Sequence, residues 1–290
     1  MARSRADELL VARGLYADVA SAARAIYAGE VVVDRPSLPD VLKPGTQLPQ
    51  DAIVRASAPK RYVSRGGEKL EGALRAFSYD VTAVHALDAG SSTGGFTDCL
   101  LQRGAASVSA VDVNYGQLAW SLRTDPRVSV YERTNVRSVD PALIGAPFDL
   151  AVADLSFISL GKVADNIARS LRDGGTFIAL VKPQFEAAPS LVGEGGVVAS
   201  EAVHRDVLAQ AARDLASCGL SVQALAFSPI TGPEGNIEFW IRAEKLPAQA
   251  GSAALESGPG AGAPQLPETE LTAEIARVVT SAHDQLRGRQ

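Results

Sequence analysis

Four charged residues stand at the ends of predicted helices or strands, where catalytic side chains are commonly presented. Lys69 lies in a predicted helix, Asp154 and Lys182 each end an apolar strand, and Glu238 begins another strand. Apolar neighbours make a solvated surface charge an awkward explanation for Asp154 and Lys182. For Lys69 and Glu238, the sequence alone leaves an ordinary surface charge as an equal alternative.

Two lysines and two carboxylates in one cleft suit the removal of a proton from a weakly acidic hydroxyl, such as the 2′-hydroxyl of a ribose. A lysine can be the base only if its pKa falls well below ~10.4, which desolvation and a second nearby cation achieve. Lys182 is the candidate base, and Lys69 supplies the neighbouring positive charge. Asp154 and Glu238 would orient the lysines and limit the net charge of the cleft.

A glycine-rich turn at residues 88–97 follows the first apolar strand of this region and precedes a helix. Small residues let the backbone approach a ligand, and a helix N-terminus offers free N–H donors. The turn lacks the Gly-x-Gly-x-x-Gly spacing of dinucleotide sites and the lysine of a phosphate-binding loop. Asp112 ends the next strand, where a carboxylate could accept both hydroxyls of a ribose. The alternative is a tight turn with a surface aspartate.

The turn resembles motif I of S-adenosylmethionine methyltransferases, in the Gly-Gly-aromatic form found in ribose methyltransferases. The resemblance implies that the turn lines the methionine end of the cofactor, that Asp112 holds the ribose and that Asn135 lies near the adenine. The implied cofactor-binding set is Asp88, Gly90, Ser91, Ser92, Gly94, Gly95, Phe96, Asp112, Asn135 and Asp154. No metal site is expected.

The four charged residues resemble the Lys-Asp-Lys-Glu tetrad of the FtsJ-like 2′-O-methyltransferases. The stretches 115–120, 154–159 and 181–186 narrow the similarity to the TlyA family of bacterial ribosomal RNA methyltransferases. The resemblance covers residues 1–245 and the last helix. It implies 2′-O-methylation of cytidines in the 16S and 23S RNA of the 30S and 50S subunits, and through it sensitivity to capreomycin-type antibiotics.

The elements that must position these residues alternate between strand and helix from Val84 onward. Such alternation predicts a doubly wound, Rossmann-like α/β sheet with ligands beyond the carboxyl ends of the strands. Strands are predicted at 85–88, 107–112, 128–131, 148–154, 176–182, 222–227 and 238–242, and helices at 95–103, 115–123, 160–171 and 200–218.

The first 59 residues predict a separate small α+β domain, with helices at 8–15 and 18–28 and strands at 30–34 and near 52–54. This order resembles the S4-like RNA-binding domain, although an arbitrary α+β cap is the alternative. The predicted organisation is an S4-like domain at 1–59, a linker at 60–64, a methyltransferase domain at 65–245, an Ala/Gly/Pro-rich linker at 246–267 and an amphipathic helix at 268–290, expected to dock back on the catalytic domain.

Positive charge is concentrated at the start of the chain, as RNA binding would require. The whole chain has a net charge of −5, but residues 1–75 contain 12 Lys and Arg against 9 Asp and Glu. The candidate RNA contacts are Arg3, Arg5, Arg13, Arg24, Lys43, Lys60, Arg61 and Arg65. We also hypothesise that the join at residues 60–65 touches phosphates and couples RNA docking to cofactor binding; an ordinary solvated linker is the alternative.

The composition argues against a disulfide-rich, membrane-spanning or secreted protein. The two cysteines are too few for a disulfide framework, and no apolar run reaches the ~18 residues that span a bilayer. With no signal-peptide pattern, we expect a cytoplasmic protein without a membrane partner, and a monomer by default. The alternatives are a non-catalytic ribosome-assembly factor, a small-molecule methyltransferase, which would leave the N-terminal domain without a purpose, and a haemolysin, which the absence of a membrane-active segment disfavours.

Overall fold

The computed structural model describes residues 3–27, 31–33, 42–56, 61–247 and 266–287. The chain divides into two compact units, residues 1–61 and 62–290. Two sequence predictions lie outside the described residues: the candidate contact Lys60 and most of the linker at 246–267.

Among its described residues, the first unit has two short helices and two small antiparallel strand pairs. Its elements are β1 (Arg3–Arg5), α1 (Ala6–Ala12), α2 (Val19–Tyr27), β2 (Val31–Val33), β3 (Gln47–Pro49) and β4 (Val54–Ala56). Strand β1 pairs with β3, and β2 pairs with β4. A small core around Leu10, Ile26 and Leu48 closes the unit. The sequence did not predict β1 or β3, because three-residue strands are too short to show an alternating pattern.

The described part of the second unit is built on a seven-stranded sheet with the order β10-β11-β9-β8-β5-β6-β7. Strands β5 to β9 are parallel, and β11 runs antiparallel to both β9 and β10. This confirms the predicted α/β class. The strands are β5 (His85–Ala89), β6 (Ser107–Val111), β7 (Val128–Tyr131), β8 (Phe148–Ala153), β9 (Leu171–Val181), β10 (Leu220–Phe227) and β11 (Phe239–Lys245).

Helices cover both faces of this sheet, and each face carries its own apolar core. The helices are α3 (Arg65–Ala76), α4 (Gly95–Gln102), α5 (Trp120–Arg123), α6 (Gly161–Ser170), α7 (Pro183–Glu186), α8 (Glu201–Ser217) and α9 (Glu268–Arg287), with 3-10 turns at Pro141–Ile144, Pro189–Leu191 and Glu194–Gly196. The terminal helix α9 buries Ile275, Val278, Val279 and Ala282 in the core that α8 and β10 share.

Two elements differ most from their predicted extents. The helix predicted at 115–123 begins only at Trp120, because Gly116 has φ +72° and Asp112 Oδ1 accepts the N–H of Asn114 in a turn. Strand β9 begins at Leu171, five residues before its predicted start at Thr176. Its last seven residues, 175–181, are buried, as expected for a strand covered on both faces.

The topology brings the carboxyl ends of five parallel strands to one edge of the sheet. Strand β5 lies between β6 and β8, so the chain order reverses there, and a ligand crevice is expected at that point. Asp112, Asp154 and Lys182 follow β6, β8 and β9 directly. Glu238 reaches the same edge because β11 is antiparallel and therefore begins where β9 ends, with Phe239 opposite Val181.

Candidate active site

Lys69 and Glu238 form a buried ion pair at the carboxyl edge of the sheet. Lys69 is on the inward face of α3, and its Nζ lies 2.5 Å from Glu238 Oε2, with side-chain exposures of 8% and 1%. Burial raises the pKa of the Glu238 carboxyl, while the Lys69 cation opposes that shift; Asp154 and Lys182 act on the same carboxyl more weakly. The surface-charge alternative for this pair is therefore wrong.

Lys182 and Asp154 form a second ion pair beside the first. Lys182 Nζ lies 2.6 Å from Asp154 Oδ1 and donates to the Ser156 hydroxyl at 3.0 Å. The two side chains are 12% and 22% exposed, so this pair borders the solvent more closely than Lys69 and Glu238 do. Lys69, Asp154, Ser156 and Lys182 all line one cavity of 240 Å³. The structure thus brings the four predicted charges together as two neighbouring pairs.

The glycine-rich turn forms another wall of this cavity. Gly90 has φ +88° and Gly94 has φ +96°, conformations that a residue with a Cβ adopts at a cost. Steric contacts also exclude larger residues at both positions. A Cβ on Gly90 would lie 2.8 Å from the Asp154 carbonyl oxygen, and a Cβ on Gly94 would lie 2.3 Å from Leu122 Cδ1. Helix α4 begins at Gly95, so its free N–H groups lie at this wall.

Asp88 lies beneath the turn and is fully buried. Its Oδ2 accepts the backbone N–H of Thr97 at 2.9 Å and the Thr97 hydroxyl at 2.6 Å, which fixes the turn to the end of β5. Its Oδ1 has no partner among the described residues. Burial raises the pKa of Asp88 to about 7, against the opposing effect of the Thr97 hydrogen bonds.

A second cavity, of 520 Å³, adjoins the first and shares Gly90, Ser92, Asp154 and Ser156 with it. Asp112 and Asn135 contribute polar groups to its wall, among apolar side chains that include Val111, Val136, Ile158 and Val163. The two Asp112 oxygens accept the N–H groups of Ser92 and Asn114 at 2.8 and 2.7 Å. A carboxylate has about four acceptor positions, so the oriented Asp112 keeps capacity for a diol.

Together the two cavities fit S-adenosylmethionine, which is flat and apolar at the adenine, carries a ribose diol and has a charged methionine end. The apolar wall suits the adenine, Asp112 suits the ribose, and the Gly90–Gly95 backbone leaves room for the methionine group. The unpartnered Asp88 Oδ1 lies under that turn.

Phe157 is the main site feature to which the sequence analysis assigned no role. It has φ +64° and its side chain is 90% exposed, with its ring 4.9 Å from that of Phe185. A bulky residue in the left-handed backbone region loses about 1–2 kcal/mol of stability. Because the Phe157 side chain is so exposed, the burial of its ring offsets little of that loss. The residue also lines the second cavity. The only sequence signal was its position three residues after Asp154.

The candidate RNA contacts fall into two groups. Within the first unit, Arg3, Arg5, Arg13, Arg24 and Lys43 are all exposed. Arg5 is also paired with Asp7 at 2.7 Å, and Arg13 donates to the Gln50 carbonyl at 2.6 Å. Arg61, its last residue, is also exposed. In the second unit, Arg65 lines the smaller cavity and donates to the Thr231 carbonyl at 2.7 Å.

The aromatic residue of the join, Tyr62, is buried in the second unit. Its hydroxyl donates to Glu71 Oε2 at 2.9 Å, and the next backbone N–H, that of Val63, donates to Asp98. Tyr62 is therefore an anchor for the chain entering the unit and leaves only its neighbours at the surface.

Comparisons with known proteins agree with this geometry. Residues 62–245 match the FtsJ-like methyltransferase family model. The chain is 48% identical to the 16S/23S rRNA (cytidine-2′-O)-methyltransferase TlyA of Mycobacterium tuberculosis H37Rv, over 83% of this chain and 91% of that protein. It is 44% identical to YqxC of Bacillus subtilis, over 98% and 96% of the two chains.

The chain belongs to the TlyA family of FtsJ-like methyltransferases. It is accordingly an S-adenosylmethionine-dependent enzyme. A solved structure from Streptococcus thermophilus that bears the name hemolysin has 38% identity and a TM-score of 0.72, covering 100% of this chain and 98% of its own. In the part of this methyltransferase that the structure describes, every helix is too short or too polar to cross a membrane.

Proposed function

We propose that this methyltransferase transfers a methyl group to the ribose 2′-hydroxyl of cytidines in 16S and 23S ribosomal RNA. The observation that carries the proposal is the pair of lysine–carboxylate bridges on one cavity wall, adjoining the larger cavity that suits the cofactor. The name of the M. tuberculosis relative supports the choice of cytidine and of both subunits. Since this substrate is ribosomal, we propose a cytoplasmic location and, by default, a monomer.

Lys182 is the proposed base. The Asp154 carboxylate and the Ser156 hydroxyl hold its Nζ at the cavity surface, where a docked 2′-hydroxyl can reach it. In its neutral form, Lys182 accepts the hydroxyl proton, and the oxygen becomes the nucleophile. Lys69 is held by Glu238 at the wall of the same cavity. S-adenosylmethionine supplies, when bound, a methyl group on a positively charged sulfur.

The remaining groups of the site position the reactants. Gly90, Ser91, Ser92, Gly94, Gly95 and Phe96, with Asp88 beneath them, are proposed to cradle the methionine end. Asp112 is proposed to hold the ribose and Asn135 to lie near the adenine, while Asp154 borders both cavities. With the cofactor bound, this arrangement would align the nucleophile with the methyl group, and such alignment contributes up to about 7–11 kcal/mol to lowering a barrier.

Phe157 is proposed to stack on the target base. We propose that the target cytidine leaves its helical stack so that its 2′-hydroxyl enters the cavity of 240 Å³. An aromatic ring that is 90% exposed at the mouth offers a stacking surface of the kind that holds unstacked bases in RNA-binding proteins.

The first unit is proposed to be an S4-like domain that docks on ribosomal RNA through Arg3, Arg24, Lys43 and Arg61. The basic join, with Lys60, is proposed to contact phosphates and to couple docking to cofactor binding. Replacement of Lys60 and Arg61 by alanine should then weaken RNA binding and reduce the dependence of affinity on salt. An unchanged salt slope would contradict this role.

The experiment that tests the proposed function is methyl transfer from radiolabelled S-adenosylmethionine to 30S and 50S subunits that lack the modification. Label at a dinucleotide that resists alkaline hydrolysis would establish ribose methylation, because a 2′-O-methyl group blocks cleavage of the adjacent phosphodiester. An absence of label on both subunits, with cofactor binding intact, would favour a non-catalytic ribosome-assembly factor.

A further inference from the structure

Two loops at the carboxyl edge of the sheet carry the groups that surround Lys182. Residues 154–160 join β8 to α6 and present Asp154, Ser156 and Phe157. Lys182 and the short helix α7 follow β9. The loops meet through the Lys182–Asp154 pair, the Lys182–Ser156 hydrogen bond and the contact between Phe157 and Phe185. The positions of Ser156 and Phe157 therefore depend on how the 154–160 loop is held.

This loop needs a strong anchor because its centre is strained. Phe157 has φ +64° and an almost fully exposed side chain, so its own burial cannot hold it in that conformation. A strained residue persists only where its surroundings over-determine it, and such residues concentrate at functional sites. The Phe157–Phe185 contact and the two contacts of Lys182, with Asp154 and Ser156, act on the first half of the loop, residues 154–157.

Glu186, the last residue of α7, holds the second half. Its Oε1 accepts the backbone N–H of Leu160 at 2.7 Å, and the Ser159 hydroxyl also bonds to its carboxylate. Leu160 is the N-cap residue of α6 and has no side-chain cap of its own. Loop and α7 are closely packed: the void lined by Leu155, Ile158, Lys182 and Glu186, among others, measures only 10 Å³.

The Glu186 carboxyl is half-buried between the loop and α8. Burial raises the pKa of the Glu186 carboxyl, and the nearby Asp214 contributes in the same direction, while Leu160 and Ser159 oppose the shift by bonding to the carboxylate. Asp214, on α8, also lies against the start of α6, where a Cβ on Gly161 would be 2.5 Å from Asp214 Oδ2. The Asp214 carboxylate accepts a hydrogen bond from the Gln210 side chain, which is on the same helix.

We infer that Glu186 is a positioning residue for the methyl transfer: by clamping the N–H of Leu160 it fixes the 154–160 loop, and with it Ser156 against Lys182 and Phe157 at the mouth of the site. The inference rests on the proposed function for its catalytic consequence. Its structural consequence concerns the loop alone, which also lines the cofactor cavity through Leu155, Ser156, Phe157 and Ile158.

Two substitutions in the full chain distinguish the effect of the position of the Glu186 carboxylate oxygen from the effect of its negative charge. Glu186→Gln keeps an acceptor oxygen at the same distance but removes the charge, whereas Glu186→Asp keeps the charge but withdraws the oxygen by one methylene. We expect Glu186→Gln to behave like wild type. Glu186→Asp and Glu186→Ala should lower kcat by about 10- to 100-fold, as small misplacements near reacting groups do. Asp214→Asn is the matched control and should remain active.

Two measurements need no RNA: the amide hydrogen exchange of residues 156–160, and the affinity for S-adenosylmethionine. Both should change in Glu186→Asp and neither in Glu186→Gln. Faster exchange in this loop, with the rest of the protein unchanged, distinguishes a clamp from a general loss of stability. If Glu186→Ala does not fold, the Asp and Gln variants still decide the matter.

The inference is overturned if Glu186→Asp matches wild type while Glu186→Gln is impaired, since charge at the helix N-terminus would then be what matters. It is also overturned if both leave loop exchange and cofactor affinity unchanged. A wild-type enzyme that labels neither ribosomal subunit would contradict the proposed function alone, because the exchange and affinity measurements stand without an RNA substrate.

Discussion

Lys69 and Glu238 come from opposite ends of the methyltransferase sequence and meet at 2.5 Å, both almost closed to solvent. Helix α3 is the first helix of the unit and β11 is the last strand of its sheet, so the pair joins the first helix to the last strand at the catalytic edge. The two residues are 169 positions apart in the sequence. Their pairing fixes the Lys69 cation at the cavity that Lys182 also lines. Its removal should therefore affect both stability and chemistry.

We expect Glu238→Ala to lower the free energy of unfolding by about 3–5 kcal/mol, because it leaves the Lys69 cation buried without a partner. The double variant Lys69→Met, Glu238→Gln should be clearly more stable than Glu238→Ala, although inactive. Urea denaturation of the three proteins measures this. If the single variant loses less than about 1 kcal/mol, a value typical of exposed pairs, the pair does not have the energetics of the buried ion pair described above.

Gly94 and Gly116 make a matched comparison for the cofactor turn. Both have positive φ, but a Cβ on Gly94 would collide with Leu122, whereas a Cβ on Gly116 meets nothing within 4 Å. Gly116→Ala should cost about 1 kcal/mol from backbone strain and keep cofactor binding. Gly94→Ala should cost more and weaken the affinity for S-adenosylmethionine, as measured by calorimetry. Equal cofactor affinities for the two variants would argue against the turn as the cofactor cradle.

Phe157→Ala should separate RNA handling from folding. Because the side chain is exposed, thermal stability should hardly change, whereas methyl transfer to ribosomal RNA should fall by about tenfold or more, given 1–3 kcal/mol per stacked base. The control is Leu143→Ala, which removes another exposed side chain (70%) from the 3-10 turn at the opposite edge of the sheet. A Phe157→Ala enzyme with wild-type kcat/KM for RNA would refute the stacking role.

Asp88 predicts a specific dependence of stability on pH. Its pKa is about 7 in the folded protein against 3.8 for the free side chain, so the folded state holds the proton more tightly. Stability from this group is therefore complete below about pH 4 and is lost as the pH rises to about 7. Asp88→Asn keeps an acceptor for Thr97 and does not ionise. As the pH rises across that range, the free energy of unfolding of Asp88→Asn should increase relative to that of wild type by on the order of 3–4 kcal/mol. A constant difference between the two proteins would contradict a neutral, buried Asp88.

The sequence predicted the parts of the site that depend on strand ends. Asp154 and Lys182 terminate apolar runs, and in a parallel sheet such ends meet at one edge, so their proximity followed from pattern alone. The pairing of Lys69 with Glu238 did not follow, since it requires β11 to be antiparallel, and strand propensity does not encode direction. The family resemblance grouped the four residues into one tetrad but did not say which lysine pairs with which carboxylate.

Features set by backbone conformation or by distant contacts could not be predicted. The residues at 115–119 have a helical composition, but the turn anchored by Asp112 prevents a helix there. The left-handed backbone at Phe157 and the Leu160 clamp of Glu186 arise from tertiary contacts that no local pattern reports. Tyr62 was taken as part of a linker because its partner, Glu71, is buried in a network that only the fold assembles.

The most direct test of the central claim compares wild type with Lys182→Ala in methyl transfer from radiolabelled S-adenosylmethionine to unmodified 30S and 50S subunits. The structure predicts alkali-resistant label with wild type, and no label with the variant although it still binds S-adenosylmethionine and RNA. A variant that methylates RNA at the wild-type rate would show that Lys182 is not the base, and the assignment of this edge of the sheet as the catalytic centre would have to be abandoned.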